Sequence, residues 1–355
     1  MNNDRIQEIL DLMEEARLDY FLISDPQSIA YCTGYYNDPH ERMFVFMISK
    51  HGNHTLFMND LFYLDHDLDV NIVWHKDGQD AIQTIVDEMH FPGRIGIDKN
   101  WASHFLLDLM KKLPDAKYIN ASPCVDLVRM KKDLQEQVLM IESSKINDAV
   151  MEEIIPFIQE DVTEKQLAKK LDELFFNHHS TCYGAIVAFG KNAADPHHEN
   201  DDTLLRKGDC VLIDMGCVYK GYCSDMTRTF FYEGILEEEI KAYEIVKKAN
   251  EAAEAMIKPG VKLSDIDKCA RKVISDEGYG KYFTHRLGHF IGRDVHEYGD
   301  VSSVNEMEVE EGMIFSIEPG IYLEGNFGVR VEDLVMVTKD GCQVLNSFTK
   351  DIYII

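Results

Sequence analysis

One segment, IDMGCVYKGYCSDMTRTFF from Ile213 to Phe231, constrains the fold more than any other. Its flanks read as β-strand, and its middle holds a Lys-Gly of the kind that closes a two-residue turn. It also carries two aspartates, Asp214 and Asp225, although strands are poor in aspartate. The reading is a hairpin. With Tyr219-Lys220 in the turn, Asp214 lies opposite Asp225; with Lys220-Gly221, Asp225 faces Gly216 and Asp214 is its diagonal neighbour. Either register sends both carboxylates from the same face, with Cβ atoms about 5 Å apart if opposed and about 7 Å if diagonal. Like charges that close in a partly dry site cost stability unless something positive stands between them. The candidates are Arg228, a proton or a divalent cation.

Three downstream segments bear on that choice. THRLGHFIGRDVHE sets His285, His289 and His296 within twelve residues, and Gly288 and Gly292 interrupt any helix, so extended or irregular backbone is expected. SIEPG ends a strand on Glu318 before a Pro-Gly turn, and GVRVED puts Glu332 on a strand with Arg330 on the same face, two residues away. Singly, these are an ordinary core histidine or a solvated strand-end glutamate. Together, four carboxylates and several imidazoles among Val-, Ile- and Phe-rich strands cannot all be buried unpaired. Four oxygen donors and one nitrogen, with no cysteine, suit Mn, Co or Zn. Two such ions bridged by carboxylates, about 3.5–4 Å apart, activate a water and stabilise a developing oxyanion, so hydrolysis is the expected chemistry.

The order Asp214, Asp225, His289, Glu318, Glu332 in these contexts resembles the pita-bread metallopeptidases, the family holding methionine aminopeptidase, Xaa-Pro aminopeptidase and Xaa-Pro dipeptidase (prolidase). The resemblance covers nearly the whole chain. It implies an α+β C-terminal pita-bread catalytic domain behind a smaller α/β domain of the creatinase type. It also implies two divalent ions, manganese first with cobalt or zinc as alternatives. Asp214 and Asp225 would serve one ion, His289 and Glu318 the other, with Asp225 and Glu332 bridging. IVAFGKNAADPHH resembles the family segment whose histidine, here His197, stands near the reacting amide. His296, seven residues after His289, resembles the group that hydrogen-bonds the scissile carbonyl. Glu318 is implied as proton shuttle, His285 and Arg286 as the grip on a short peptide's carboxylate, and Arg330 as a group orienting a ligand carboxylate. Phe290 stands where a glycine is commoner and Phe189 where a serine is; both are expected to line the pocket.

TGYYNDPHERMF, HRLGH and VHEY resemble segments of Gram-positive bacterial prolidases. That implies a homodimer acting on short proline-containing peptides, in which a loop with Asp38, His40, Glu41 and Arg42 limits peptide length over the partner's cleft. The alternatives are an Xaa-Pro aminopeptidase of longer peptides and a metal-free scaffold. A bond to proline nitrogen is a tertiary amide with no N–H, which suits catalysis that polarises the carbonyl instead of recognising that hydrogen.

The remaining chain agrees with two domains, placed at residues 1–125 and 126–355. YFLIS, FVFMIS, HTLFMN, NIVWH, RIGID and KYIN alternate with helical patterns such as QDAIQTIVDEM and SHFLLDLMKKL up to a break at Ser122-Pro123. Beyond it, a long helix begins near Lys132, and the last 45 residues hold strands without helices, which favours antiparallel α+β packing. The net charge of −27, from 36 basic and 63 acidic residues, argues against nucleic acid and anionic membranes as partners. The eight cysteines show no CxxC pair, and no apolar run approaches a membrane span, so a cytoplasmic protein with reduced thiols is expected.

Overall fold

The inner strands Tyr20–Ile23, Val45–Ser49 and Thr55–Asn59 are buried along their length because both faces are covered. In Tyr20–Ile23, Phe21 and Ile23 pack with Ile6, Ile9, Ile29, Val125 and Val128, while Tyr20 and Leu22 pack with Ile82, Ile85 and Leu109. This is the two-residue alternation of a pleated strand between two helical layers. The computed structural model describes residues 1–90 and 92–355, which form two units, Met1–Arg129 and Met130–Ile355.

The first unit is a six-stranded mixed sheet in the order Asn71–His75, Thr55–Asn59, Val45–Ser49, Tyr20–Ile23, Arg94–Ile97, Lys117–Asn120. Every strand expected from the sequence is present. The break expected at Ser122-Pro123 is instead the start of a helix, Ser122–Met130. Proline is tolerated there because a first-turn N–H has no intrahelical partner to lose. Val125 and Val128 bury in the first unit's core, so the division falls after Arg129 and not after residue 125.

In the second unit, strand pairings among the described residues are antiparallel, with helices Leu134–Ile154, Glu164–Asn177, Glu237–Met256 and Leu263–Asp276 beside them. Asp133 caps the first of these in a capping box with Glu136. The hairpin closes on Lys220-Gly221, whose φ values of 49° and 81° are those of a type I′ turn. Val218 therefore pairs with Cys223, and Thr227 with Asp214. The second of the two registers is the real one: Asp225 falls opposite Gly216, with Asp214 diagonal to it. Pairing lapses at that point, between Cys210–Met215 and Cys217–Tyr219. A Cβ on Gly216 would stand 2.0 Å from both the Ser224 carbonyl and the Tyr183 hydroxyl, so only glycine allows this approach.

Candidate metal centre

The structure brings the five sequence-designated acids and imidazole to one cavity of about 570 Å³. Asp214, Asp225, His289, Glu318 and Glu332 line it with His197, His285, Arg286, His296 and Arg330. Asp225, His289 and Glu332 are buried and each offers a ligand atom within 4.8 Å of the others. His289 Nε2 lies 3.5 Å from Asp225 Oδ2 and 3.6 Å from Glu318 Oε1. Those gaps are long for hydrogen bonds. They are the span expected of two ligands each roughly 2 Å from one ion.

Local structure explains the convergence. His289 sits on the two-residue strand Gly288–His289, where a Cβ on Gly288 would come within 1.9 Å of the Ser316 carbonyl. Ser316 Oγ accepts from the His289 N–H at 2.9 Å and donates to Glu318 Oε1 at 3.1 Å, tying the two together. Glu332 lies between the strands Phe327–Arg330 and Asp333–Val337 and not on a strand as expected from the sequence. Its N–H donates to the Thr227 carbonyl, and its Oε2 accepts from the Thr227 hydroxyl at 2.6 Å. Thr227 and Ser316 escaped the sequence reading because a hydroxyl in a strand is commonplace. Only their two-residue spacing from Asp225 and Glu318 hinted at a shared face.

Arg228 is not the cation between the aspartates. Its guanidinium lies 2.7 Å from Asp333 Oδ1 and donates to the carbonyls of Thr227, Glu332, Phe348 and Thr349. Arg330 takes one acid: Nη2 is 2.5 Å from Asp214 Oδ2, while Nε donates to Thr227 Oγ1 and Nη1 to the Tyr322 hydroxyl. Asp225 and Glu332 keep their crowding. Burial, then Asp225, Glu318 and Asp214, push the Glu332 carboxyl well above the ordinary range. Asp214 is raised by burial in spite of Arg330. Asp225 Oδ1 is buried with no hydrogen-bond partner.

These residues fit divalent ions. An orphaned carboxylate oxygen, acids that repel one another and an absence of thiolate donors all match a hard or borderline cation. His289 Nδ1 stands 3.2 Å from the Phe290 carbonyl, which assigns the proton to Nδ1 and leaves the Nε2 lone pair facing the acids.

Around this cluster the outcomes differ. The His296 ring stands edge-on to His289, centroids 4.3 Å apart, and burial with His289 and Arg286 pushes its pKa down to about 4. His285 has both nitrogens engaged, Nδ1 with the Arg286 carbonyl at 2.7 Å and Nε2 with the Tyr322 hydroxyl at 2.8 Å. It therefore offers no free nitrogen to a substrate carboxylate, contrary to expectation. Arg286 is 4.0 Å from Asp300 with its side chain 40% exposed. Phe189 and Phe290 are core residues, absent from the cavity wall; Phe290 packs on Phe315 at 5.3 Å. Their substitution for serine and glycine thus fills the interior and does not reshape the pocket. Tyr183 and Tyr322, which line or brace the cavity, were missed, since an isolated tyrosine carries no sequence signal.

The depressed His296 value has a measurable consequence. Its folded pKa of about 4 lies below the unfolded value of about 6.5, so its share of stability is present above pH 6.5 and lost as pH falls towards 4. Urea unfolding of metal-free protein between pH 7 and 4 is expected to show a steeper acid loss in the wild type than in His296→Gln. Parallel curves would contradict it.

Residues 138–339 match the profile of Metallopeptidase family M24, and residues 5–131 that of the Creatinase/Prolidase N-terminal domain. An uncharacterised peptidase of Staphylococcus aureus (strain MRSA252) is 34% identical, covering 98% of this chain and 99% of that protein. A dipeptidase from Pyrococcus horikoshii OT3 superposes with a TM-score of 0.92 at 34% identity, covering 99% of this chain and 100% of the other. A prolidase from Thermococcus sibiricus gives 0.93 at 31%, covering 100% of both. The second unit thus has the pita-bread fold, and the first, preceding it in sequence, is a creatinase-type domain. Because likeness in sequence and in fold runs through both units, and the crowded acids fall inside the matched segment, this chain belongs to metallopeptidase family M24.

Proposed function

We propose that the chain is an Xaa-Pro dipeptidase that cleaves short proline-containing peptides at two divalent ions held by Asp214, Asp225, His289, Glu318 and Glu332. The observation that carries this is the division of charge within one cavity. Arg330 is engaged by Asp214, whereas Arg286 is exposed and loosely paired, a cation available to a peptide's terminal carboxylate. The cavity volume is that of a small-ligand site. Names borne by similar proteins along the whole chain, a dipeptidase and a prolidase, support the same reading.

Bound ions supply an activated water and polarise the peptide carbonyl. The chain's own groups do the rest. Neutral His296 donates a hydrogen bond to the carbonyl oxygen as it gains charge. Glu318 takes a proton from the attacking water, and Glu318 or His197 returns one to the proline nitrogen, which has none of its own. Manganese is the expected ion, with cobalt and zinc next, because the donor set is oxygen-rich.

Metal-depleted protein re-supplied ion by ion is expected to hydrolyse Leu-Pro best with manganese. A tripeptide with proline second should give a kcat/KM at least roughly tenfold lower. Equal rates would favour an Xaa-Pro aminopeptidase, and no turnover of either peptide with any ion would overturn the peptidase reading.

Chain-length selection is assigned to the loop at Asp38, His40, Glu41 and Arg42 in a cytoplasmic homodimer. The loop is braced from outside and within: the Arg42 guanidinium holds Asp77 at 2.9–3.0 Å and Glu41 at 2.9 Å. Deleting residues 38–42 is expected to admit the tripeptide; unchanged preference would defeat the assignment. No helix among the described residues is long and apolar enough to cross a membrane.

A further inference from the structure

The loop that carries His197 is held from behind by a carboxylate outside the cavity. Glu164, the first residue of the helix Glu164–Asn177, is fully buried. Its Oε1 accepts from the Phe189 N–H and from the Asn192 side-chain amide, both at 2.9 Å. Its Oε2 accepts from the Asp201 N–H at 3.0 Å and stands 2.7 Å from His198 Nε2. These donors lie at the start, middle and end of residues 189–201, so one side chain fastens the whole loop. They also fill the acceptor positions of the carboxylate. Glu164, His198 and Asp201 are grouped closely enough to hold an ion, but the protein's own N–H groups already occupy those oxygens. Asn200 adds to the fastening by copying a strand's hydrogen bonds. Its oxygen accepts from the Val187 N–H and its amide donates to the Ala185 carbonyl, both at 2.7 Å.

The adjacent histidines have different roles. His197 is exposed in the cavity wall next to Pro196, its N–H held by Asp195 Oδ1 at 3.0 Å. His198 is absent from that wall and turns to Glu164. From the cavity side, Arg330 Nη1 reaches the Pro196 carbonyl at 3.4 Å, long for a hydrogen bond. The strong hold is therefore at the rear, where a buried carboxylate at a helix N-terminus meets an imidazole N–H.

We propose that Glu164 and His198 are a positioning pair that sets where the His197 imidazole stands against the peptide bond under attack. This rests on the reading of His197 as a group near the reacting amide. Neither member touches substrate; each acts through the loop backbone.

The test uses the holoenzyme and five variants: H198A, H198Q, E164Q, H197A and H197A/H198A. H198A and E164Q are expected to lower kcat by about ten- to a hundredfold, the cost of a reacting group displaced by an ångström or less, with KM changed by less than about twofold. H198Q keeps a donor near the Nε2 position and should recover most of the loss. In the H197A background, H198A should cost nothing further. Independently of turnover, the His197 resonance in metal-free, ¹⁵N-histidine-labelled protein should be sharp in the wild type and broadened or split in H198A. Multiplying kcat losses in H197A/H198A, or an unchanged His197 resonance in H198A, would overturn the proposal. Normal turnover of H197A would instead overturn the assignment of His197 itself, a failure the resonance measurement separates from a failure of positioning.

Discussion

Asp225→Asn is expected to abolish useful turnover while making the metal-free protein more stable. A catalytic ion supplies several kcal/mol of transition-state stabilisation, which at about 1.4 kcal/mol per tenfold is a loss of roughly 10³-fold or more in kcat/KM. The opposite effect on the metal-free protein follows from crowding. Asp225 is the largest charge contribution, after burial, to the raised Glu332 carboxyl. A neutral amide removes that repulsion, so Glu332 can ionise at a lower pH. Calorimetric titration with manganese should show weakened binding by the variant, and its metal-free thermal midpoint should exceed that of the wild type. A metal-free Asp225→Asn protein no more stable than the wild type would mean that the acids do not repel as argued.

Arg228→Met should produce the largest loss of stability. The side chain is fully buried and serves Asp333 and four backbone carbonyls. Removing one member of a buried ion pair costs about 3–5 kcal/mol, because the remaining charge has lost its partner. Asp333 retains Lys350, 2.6 Å away, but Lys350 is shared with Glu254, whose pKa burial and Asp333 push up to about 7. Urea unfolding should place Arg228→Met well below the wild type. The double variant Arg228→Met/Asp333→Leu should recover part of the loss, since Lys350 then serves Glu254 alone and no second buried acid competes for it. If the double variant is as unstable as the sum of both single variants, the lost carbonyl contacts dominate and not the ion pair.

Arg228 also marks a limit of reading charge from sequence. Three residues from Asp225, it was a natural candidate to neutralise it, yet strand alternation turns it to the opposite face of Met226–Phe231, towards Asp333. The cation that does reach Asp214 is Arg330, more than a hundred residues away. Similarly, His285 and His296 lie eleven residues apart in one motif and differ in chemistry: the first has both nitrogens bonded, the second has its pKa depressed beside another imidazole. Partners of this kind are supplied by distant segments.

What the sequence determined by itself was everything that depends on local spacing. The six strands of the first unit, the Lys-Gly hairpin and the two aspartates on one face follow from two-residue alternation, turn chemistry and the shortage of reasons to bury acids, and the order of the five donors is carried by the resemblance to the family. Only the tertiary structure decided which register the hairpin takes, that Glu332 leaves its strand, that Ser316 joins His289 to Glu318, and that Glu164 secures the His197 loop. The register is set by the left-handed backbone of both turn residues, and the other three rest on hydrogen bonds or close backbone approaches between residues far apart in the chain, which no local pattern encodes.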